Sequence, residues 1–465
     1  MVVSIVYVLF LLYAIFRIFR RPSRSTADYI VAGRRLTLPA FVATLVTTWY
    51  GGILGIGEYS WRFGISNWLV FGVPYYLTAA IFAVFLAGRA RRSLVLTVPD
   101  QLESHFGRPA ALVGATVLVL MTAPAPYVLM LGVLVRIATG WPLWLGIVLG
   151  TLLSVGYVFR GGLRAIVTTD IVQFFLMYIA FLVLVPFCVV KFGGWSFLRE
   201  SLPPSHLVWD GGRGVQAITV WYFIAMVTLV EPTFYQRCYA ARTERTAQLG
   251  IWISILFWLV FDFLTTTAGL YARAVLPQLN DPVAAFPLLA ERTLAPFWQG
   301  VFLVGLLATI MSTVDSYAFI CAVTIGRDLV QRWRAPKSIR ENGSVTGKSL
   351  EDSPASLPLI RWSLLVTAIV AMILALLVES VVLLWHHVGS VVTPVLLVPL
   401  AVSHSSASLP GRAVVWSMAL SGGMSLAWLV AGGGEPFLGV EAIFPGLVVS
   451  LTVLLPNLNK SSEGA

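Results

Sequence analysis

The sequence predicts an all-α polytopic membrane protein of about thirteen transmembrane helices, with a core of two inverted five-helix repeats whose first helices are broken. Three observations carry this. Of 465 residues, 58% are hydrophobic and 11% charged, with mean hydropathy +0.87, more apolar surface than a soluble chain could hide. The apolar residues fall into runs near the roughly 20 that a helix needs to cross a bilayer. Arginines gather in alternate short loops, the asymmetry that sets orientation. The formal charge of +10 therefore reports topology and a lipid bilayer partner, not nucleic acid.

The runs lie near residues 2–20, 37–61, 68–88, 109–136, 140–159 and 169–190, then 215–236, 249–271, 297–324, 359–378, 381–402, 411–431 and 436–455. The first lacks a basic leader and a small-residue cleavage site, and Arg17, Arg20, Arg21 and Arg24 follow it, so it reads as an uncleaved span. Loops after odd-numbered runs hold Arg34 and Arg35; Arg89, Arg91 and Arg92; Arg160 and Arg164; Arg237, Arg242 and Arg245; then Arg327, Arg332 and Arg334, and finally Arg412 and Lys460. The opposite loops are poorer, which places the N-terminus outside and the C-terminus in the cytoplasm of a plasma or inner membrane. The stretch Leu329 to Ser356 reads as a flexible cytoplasmic linker. The expected organisation is an extra helix at 1–24, a first repeat at 25–200, a second at 201–403 with a loop at 328–357, and two closing helices and a short tail at 404–465.

The leading members of the two halves, 37–61 and 215–236, are both interrupted, by Gly51-Gly52 with Gly55 and Gly57, and by Glu231-Pro232. Paired interruptions point to a midplane binding site. Inside the apolar run Gly300 to Thr324 lies Ser312-Thr313-Val314-Asp315-Ser316. Ser312, Asp315 and Ser316 share one helical face. A carboxylate near the bilayer centre costs roughly 2.5–3.5 kcal/mol, so such a group normally faces a cavity, a partner or an ion. Carboxylate and hydroxyls together are hard oxygen donors, which suit sodium. A polar seam between two helices would explain the hydroxyls but not the aspartate.

Three stretches resemble the sodium:solute symporter family, inverted-repeat secondary transporters of LeuT-like fold. They are Asp28-Tyr29-Ile30-Val31-Ala32-Gly33-Arg34; Gly161-Gly162-Leu163-Arg164-Ala165 with Thr169-Asp170-Ile171-Val172-Gln173; and Ala308-Thr309-Ile310-Met311-Ser312-Thr313 ending at Gly326-Arg327-Asp328-Leu329. The resemblance implies a main sodium site built from carbonyls of Val46, Trp49 and Thr309 and hydroxyls of Ser312 and Thr313. It implies a second cation site at Asp170, Ser312, Asp315 and Ser316, with Asp315 departing from the hydroxyl found in the sodium-only pattern. Asp170 has a plainer reading as a cap at the cytoplasmic end of its helix near Arg164.

Candidate solute contacts are Tyr50, Gly52, Trp221, Glu231, Asp262 and Trp385. Glu231 could touch solute or satisfy freed amides, and Asp262 could serve a pathway or a helix–helix bond. Trp49, Tyr50, Trp221, Tyr222 and Trp385 could wall an aromatic pocket, although aromatics in membrane proteins more often form interface belts. His386 and His387, about 100° apart on a helix, cannot both line one cavity. Cys188, Cys238 and Cys321 give no disulfide framework, no cluster has zinc spacing, and no catalytic set stands out, so neither an enzyme nor an organic cofactor is expected. The expected function is sodium-coupled uptake of a small polar organic solute by alternating access, for which a single chain suffices. Proton coupling through Asp315 and a transporter-like sensor are the alternatives. Glu231 and Asp262 within spans, and no mid-span arginine or lysine, favour a neutral or cationic solute.

Overall fold

In the computed structural model the described residues are 25–334, 356–377 and 381–460, with 6, 7, 9–13 and 16 of the N-terminal segment. The helices used below are α1 (Thr26–Val31), α2 (Leu38–Trp49), α3 (Ile53–Phe63), α4 (Trp68–Ser93), α5 (Val98–Phe106), α6 (Arg108–Met121), α7 (Ala125–Thr139), α8 (Leu143–Gly161) and α9 (Leu163–Phe192). They continue with α10 (Val215–Ile224), α11 (Pro232–Ala240), α12 (Glu244–Val275), α13 (Pro296–Val323), α14 (Ser356–Ala375), α15 (Val381–Ser403), α16 (Gly411–Ala431) and α17 (Ile443–Leu454). Among the described residues 10 helical stretches are long and apolar enough to span a bilayer, and the α2–α3 pair, bent by 58°, makes an eleventh. The expected thirteen is not reached on this measure. Ile443–Asn457 is shorter than the rest, and most of the first run falls outside the described residues.

Both expected interruptions are breaks. α2 stops at Trp49, and Tyr50-Gly51-Gly52 form the bend before α3; Gly55 and Gly57 sit inside α3. In the second, α10 tightens into a 3-10 turn at Ala225–Leu229, and Val230-Glu231 lead into α11. The start of the first broken element and the end of the second are joined: Leu36 N donates to Ala240 O at 3.0 Å and Arg242 N to Leu36 O at 3.0 Å.

The long helices α9 and α13 press together because Gly305 has no side chain; a Cβ there would lie 2.5 Å from Ala180 Cβ and 2.7 Å from Leu176 O. Phe181 locks this layer, with ring centroids 5.2 Å from both Phe261 and Phe302. Thr169, Asp170 and Gln173 of α9 and Thr309, Ser312, Thr313, Asp315 and Ser316 of α13 are thereby sealed inside the bundle.

The sequence motifs meet in space. Gly162 separates α8 from α9 at φ +57°, and a Cβ would fall 2.3 Å from Tyr29 O. Tyr29 in turn donates its hydroxyl to Val158 O at 3.0 Å, and Arg164 pairs with Asp28. Asp170 lies well inside α9, not at its start, so it is no helix cap; the helix begins at Leu163, a turn and a half earlier than the apolar run suggested.

At the other end, α13 runs on through wider turns at Thr324–Gln331 to Arg334, so the expected linker starts later than Leu329; residues 335–355 of it lie outside the described residues. Arg327 and Arg332, expected in a loop, are wholly buried. Arg327 Nη1 is 2.9 Å from Asp100 Oδ1 and 2.8 Å from Asp328 Oδ1, Arg332 Nη2 is 2.7 Å from Asp100 Oδ1, and Arg332 also pairs with Glu103. Burial alone would raise the Asp100 carboxyl, but the Arg327 and Arg332 guanidiniums win and hold it down at about 2. A folded-state value below the ordinary one means this stabilisation is present down to about pH 4 and lost as the pH falls toward 2.

Gly162→Ala should lower the melting temperature in detergent, the strained backbone and the clash with Tyr29 costing about 1–3 kcal/mol. Gly423→Ala, where a Cβ meets nothing within 4 Å, is the matched control; equal melting of the two variants would sink this account. Asp100→Asn leaves two buried guanidiniums short of charge and should cost about 3–5 kcal/mol in the same assay.

Candidate functional site

The break after α2 frees backbone carbonyls where α13 passes. Tyr50 N, which would close the last turn onto Val46, reaches Thr47 O instead at 3.4 Å. Ile53 N, which would close onto Trp49, bonds Tyr50 O at 3.0 Å. The Val46 and Trp49 carbonyls are thus released from the helical ladder. Facing this end, Thr313 Oγ1 donates to Thr48 O at 2.7 Å, and Gly51 packs so closely that a Cβ would lie 2.3 Å from Thr313 Cβ. One turn back, Ser312 Oγ donates to Thr309 O at 3.0 Å and Thr309 Oγ1 to Gly305 O at 2.7 Å. Thr309, Ser312 and Thr313 are all buried. A fixed, water-poor group of carbonyl and hydroxyl oxygens is the donor set of a hard monovalent cation.

The four residues expected at a second cation site do not share one set of contacts. Ser312 faces its own helix, and Asp315 accepts from the Tyr157 hydroxyl of α8. Asp170 accepts from Thr44 of α2, and Ser316 lies 3.1 Å from Thr48 Oγ1. Between these last groups sits Arg237 of α11, 0% exposed. Its Nη2 donates to Ser316 Oγ at 2.6 Å, Thr48 Oγ1 at 2.9 Å and Thr44 Oγ1 at 3.2 Å, and its Nη1 to Gln236 Oε1 at 3.0 Å. Counting Arg237 as a cytoplasmic loop residue is therefore corrected: α11 continues to Ala240 and carries it inward.

The expected solute contacts divide into two groups. In the first, a cavity of about 570 Å³ is walled by residues that include Glu58, Arg213, Trp221, His386 and Glu441. From Trp221 a file of rings leads inward: Phe71 at 4.8 Å, then Trp385 6.2 Å from Phe71, Tyr127 6.2 Å from Trp385, and Tyr317 5.1 Å from Tyr127. Glu231 lies beside Tyr317 at the inner end. It also caps α11 by accepting from Thr233 N at 3.3 Å, so it does satisfy a freed amide. Gly52 belongs to this group, because a Cβ there would lie 1.6 Å from the Trp385 ring.

The second group lies on the other flank of the break. Tyr50 donates to Asp262 Oδ1 at 2.9 Å, and Tyr76 bonds the other oxygen. Trp49 packs 5.3 Å from Tyr75 and 5.4 Å from Trp258, so the single aromatic pocket expected from Trp49, Tyr50, Trp221 and Trp385 is two clusters. The histidine pair divides as its spacing requires: His386 faces the cavity 3.4 Å from Glu441, while His387 bonds Gly434 O at 2.9 Å.

The family model of the sodium:solute symporter family matches residues 29–408, a segment that contains both helix breaks and α13. The chain belongs to this family. It is a membrane transporter, not an enzyme. High-affinity choline transporter 1 of Caenorhabditis elegans is 24% identical over 460 residues, spanning 90% of this chain and 73% of that protein. The osmoregulated proline transporter OpuE of Bacillus subtilis is 24% identical over 455 residues, 91% of this chain and 87% of that one. Among solved structures, a substrate-bound, outward-open Na+-coupled sialic acid symporter superposes with a TM-score of 0.79 at 16% identity, covering 98% of this chain and 96% of the other. That likeness gives the symporter its LeuT-like fold.

Sequence reasoning missed Arg237 in this symporter. A signal was present: Arg237 stands in Tyr235-Gln236-Arg237-Cys238-Tyr239-Ala240, flanked by aromatic and small residues and not by loop-formers. Gly52→Leu should force Trp385 from its place, an overpacking that costs about 1–3 kcal/mol, and abolish solute uptake with the protein still at normal level in the membrane. Normal uptake by that variant would detach Gly52 and Trp385 from the solute path.

Proposed function

We propose that this symporter takes up a small polar solute bearing a positive or neutral amine, driven by sodium bound at Val46, Trp49, Thr309, Ser312 and Thr313. The observation that carries the sodium assignment is the release of the Val46 and Trp49 carbonyls at the same end of α2 that Thr313 of α13 grips through its bond to Thr48 O. A cation in that position would tie the broken end of α2 to α13, so its arrival favours one arrangement of the two helices over another. Entering with the membrane field it contributes roughly 2.3 kcal/mol per 100 mV, about fifty-fold accumulation of solute.

The solute class rests on the ring file of Trp221, Phe71, Trp385, Tyr127 and Tyr317 with Glu231 at its inner end. Ring faces and one carboxylate attract an ammonium group and repel a carboxylate-only solute. Choline and proline, named for two relatives, both carry such a nitrogen. In this reading the roughly 570 Å³ cavity is the outer vestibule, with the N-terminus outside, the C-terminus cytoplasmic and the plasma or inner membrane as the location. Asp262, held by Tyr50 and Tyr76, lies off this file and acts as a helix–helix bond. The repeats are proposed at 25–200 and 201–403, each opening on a broken helix.

Proton coupling is the second reading, favoured by one observation: Asp315 is buried against Tyr157 with its other oxygen unpartnered. Uptake of radiolabelled choline or proline into proteoliposomes, with and without sodium at fixed pH, separates the two. Replacing Ser312 and Thr313 together with Ala should raise the sodium concentration for half-maximal uptake by at least about tenfold, since each hydroxyl bonded to a charge contributes about 1.5–3 kcal/mol. An unchanged sodium dependence would remove the main site from these residues.

A further inference from the structure

The buried guanidinium of Arg237 sits in a setting built for a free cation. Its Nη2 nitrogen alone meets three hydroxyl oxygens, Ser316 Oγ at 2.6 Å, Thr48 Oγ1 at 2.9 Å and Thr44 Oγ1 at 3.2 Å. Two of the three hydroxyl hydrogens are directed elsewhere. Thr44 gives its proton to Asp170, and Thr48 gives its own to Thr44 O at 2.7 Å. Both therefore turn lone pairs toward the nitrogen, the arrangement that a bound metal cation imposes. The countercharges are Asp170, one hydroxyl away and with a further unpartnered oxygen, and Glu231 at the head of the same helix. Helices α2, α9, α11 and α13 each contribute a group, so the cage exists only where both broken elements and both long helices converge.

We propose that Arg237 is a tethered second cation: it fills the site that Asp170 and Ser316 were expected to offer to a free ion, and the transporter therefore binds one sodium ion, not two. This rests on the sodium-coupled reading above. A sodium ion could enter the cage only beside the guanidinium. Two like charges about 3 Å apart in a water-poor interior repel too strongly for both to stay. Being covalently attached, Arg237 also stands at a local concentration that no dissolved ion matches. The coupling ion is left with the carbonyls of Val46 and Trp49 and the hydroxyls of Ser312 and Thr313, which Arg237 does not touch.

The consequence for the chain is a fixed charge that rides on α11. Where a dissolved ion would leave to the cytoplasm in each cycle, Arg237 stays, so one positive charge per cycle is moved by the ion and none is released from the cage.

The test is the number of sodium ions bound per chain, read as saturation binding of radioactive sodium to the purified full-length protein. Wild type should bind one. Arg237→Met empties the cage of its guanidinium while keeping an unbranched side chain of similar reach, and should bind two. Adding Asp170→Asn to that variant should return the count to one. Arg237→Lys, which keeps a tethered cation, should stay at one. Two ions in the wild type, or one in Arg237→Met, overturns the proposal. If Arg237→Met does not fold, Asp170→Asn alone decides with the wild-type count: an unchanged single ion supports a cage occupied by Arg237, whereas a loss of bound sodium makes Asp170 a ligand of the free ion and overturns it. Failure of the sodium-coupled reading looks different, because then no variant, wild type included, shows saturable sodium binding, and both readings fall together.

Discussion

Within a bilayer, a backbone carbonyl that leaves the helical ladder must find its partner inside the protein, and the break at Tyr50-Gly51-Gly52 sets that requirement beside the buried hydroxyls of α13. The rest of the site follows from it. Gly51 lets α2 approach Thr313 closely, Gly52 leaves room for the Trp385 ring, and Gly305 lets α13 lie against α9. None of these positions tolerates a Cβ at the observed spacing, so the glycines hold the helices at the distances that the site needs.

Charge obeys the same rule. Arg237, Arg327 and Arg332 are each fully buried, and each is met by oxygen at hydrogen-bond distance. The two clusters are built differently. Around Arg327 and Arg332 carboxylates from α5 and the end of α13 neutralise charge by direct pairing. Around Arg237 hydroxyls make the first contacts and the carboxylate of Asp170 stands behind Thr44. Direct pairs hold the inner ends of helices in one place, where removal of a partner is expensive.

Much of this was legible in the sequence wherever the chemistry is local. Gly51-Gly52 and Glu231-Pro232 announce breaks because the backbone properties belong to those residues themselves. Hydropathy gave the spans because each run is contiguous, although α6 and α7 together make one longer span and α17 falls short of the usual length. Motif residues such as Gly162 and Tyr29 were recognisable as a pattern, but their contact was not, since it joins α1 to the α8–α9 turn. Arg237 was illegible for the same reason. Its partners Ser316, Thr48 and Thr44 stand 79, 189 and 193 residues away, and no window along the chain contains them. Loop arginines and cage arginines look alike until the helices are packed. The division of Trp49, Tyr50, Trp221 and Trp385 between two flanks likewise depends on how the bend turns α3 relative to α2.

The short backbone bridge between Leu36 and the stretch Ala240–Arg242 has a mechanical consequence. It ties the entry of α2 to the exit of α11, so these two halves of the broken elements share one hinge point and behave as a single lever. Their other halves, α3 and α10, share no backbone bond among the described residues and are linked instead through Phe71 of α4, which packs on both Tyr59 and Trp221. Backbone bonds resist sliding in a way that ring contacts do not. Stiffness is therefore distributed unevenly along each broken helix, and the give in the molecule is concentrated at Tyr50–Gly52 and Val230–Glu231, next to the proposed ion and solute contacts.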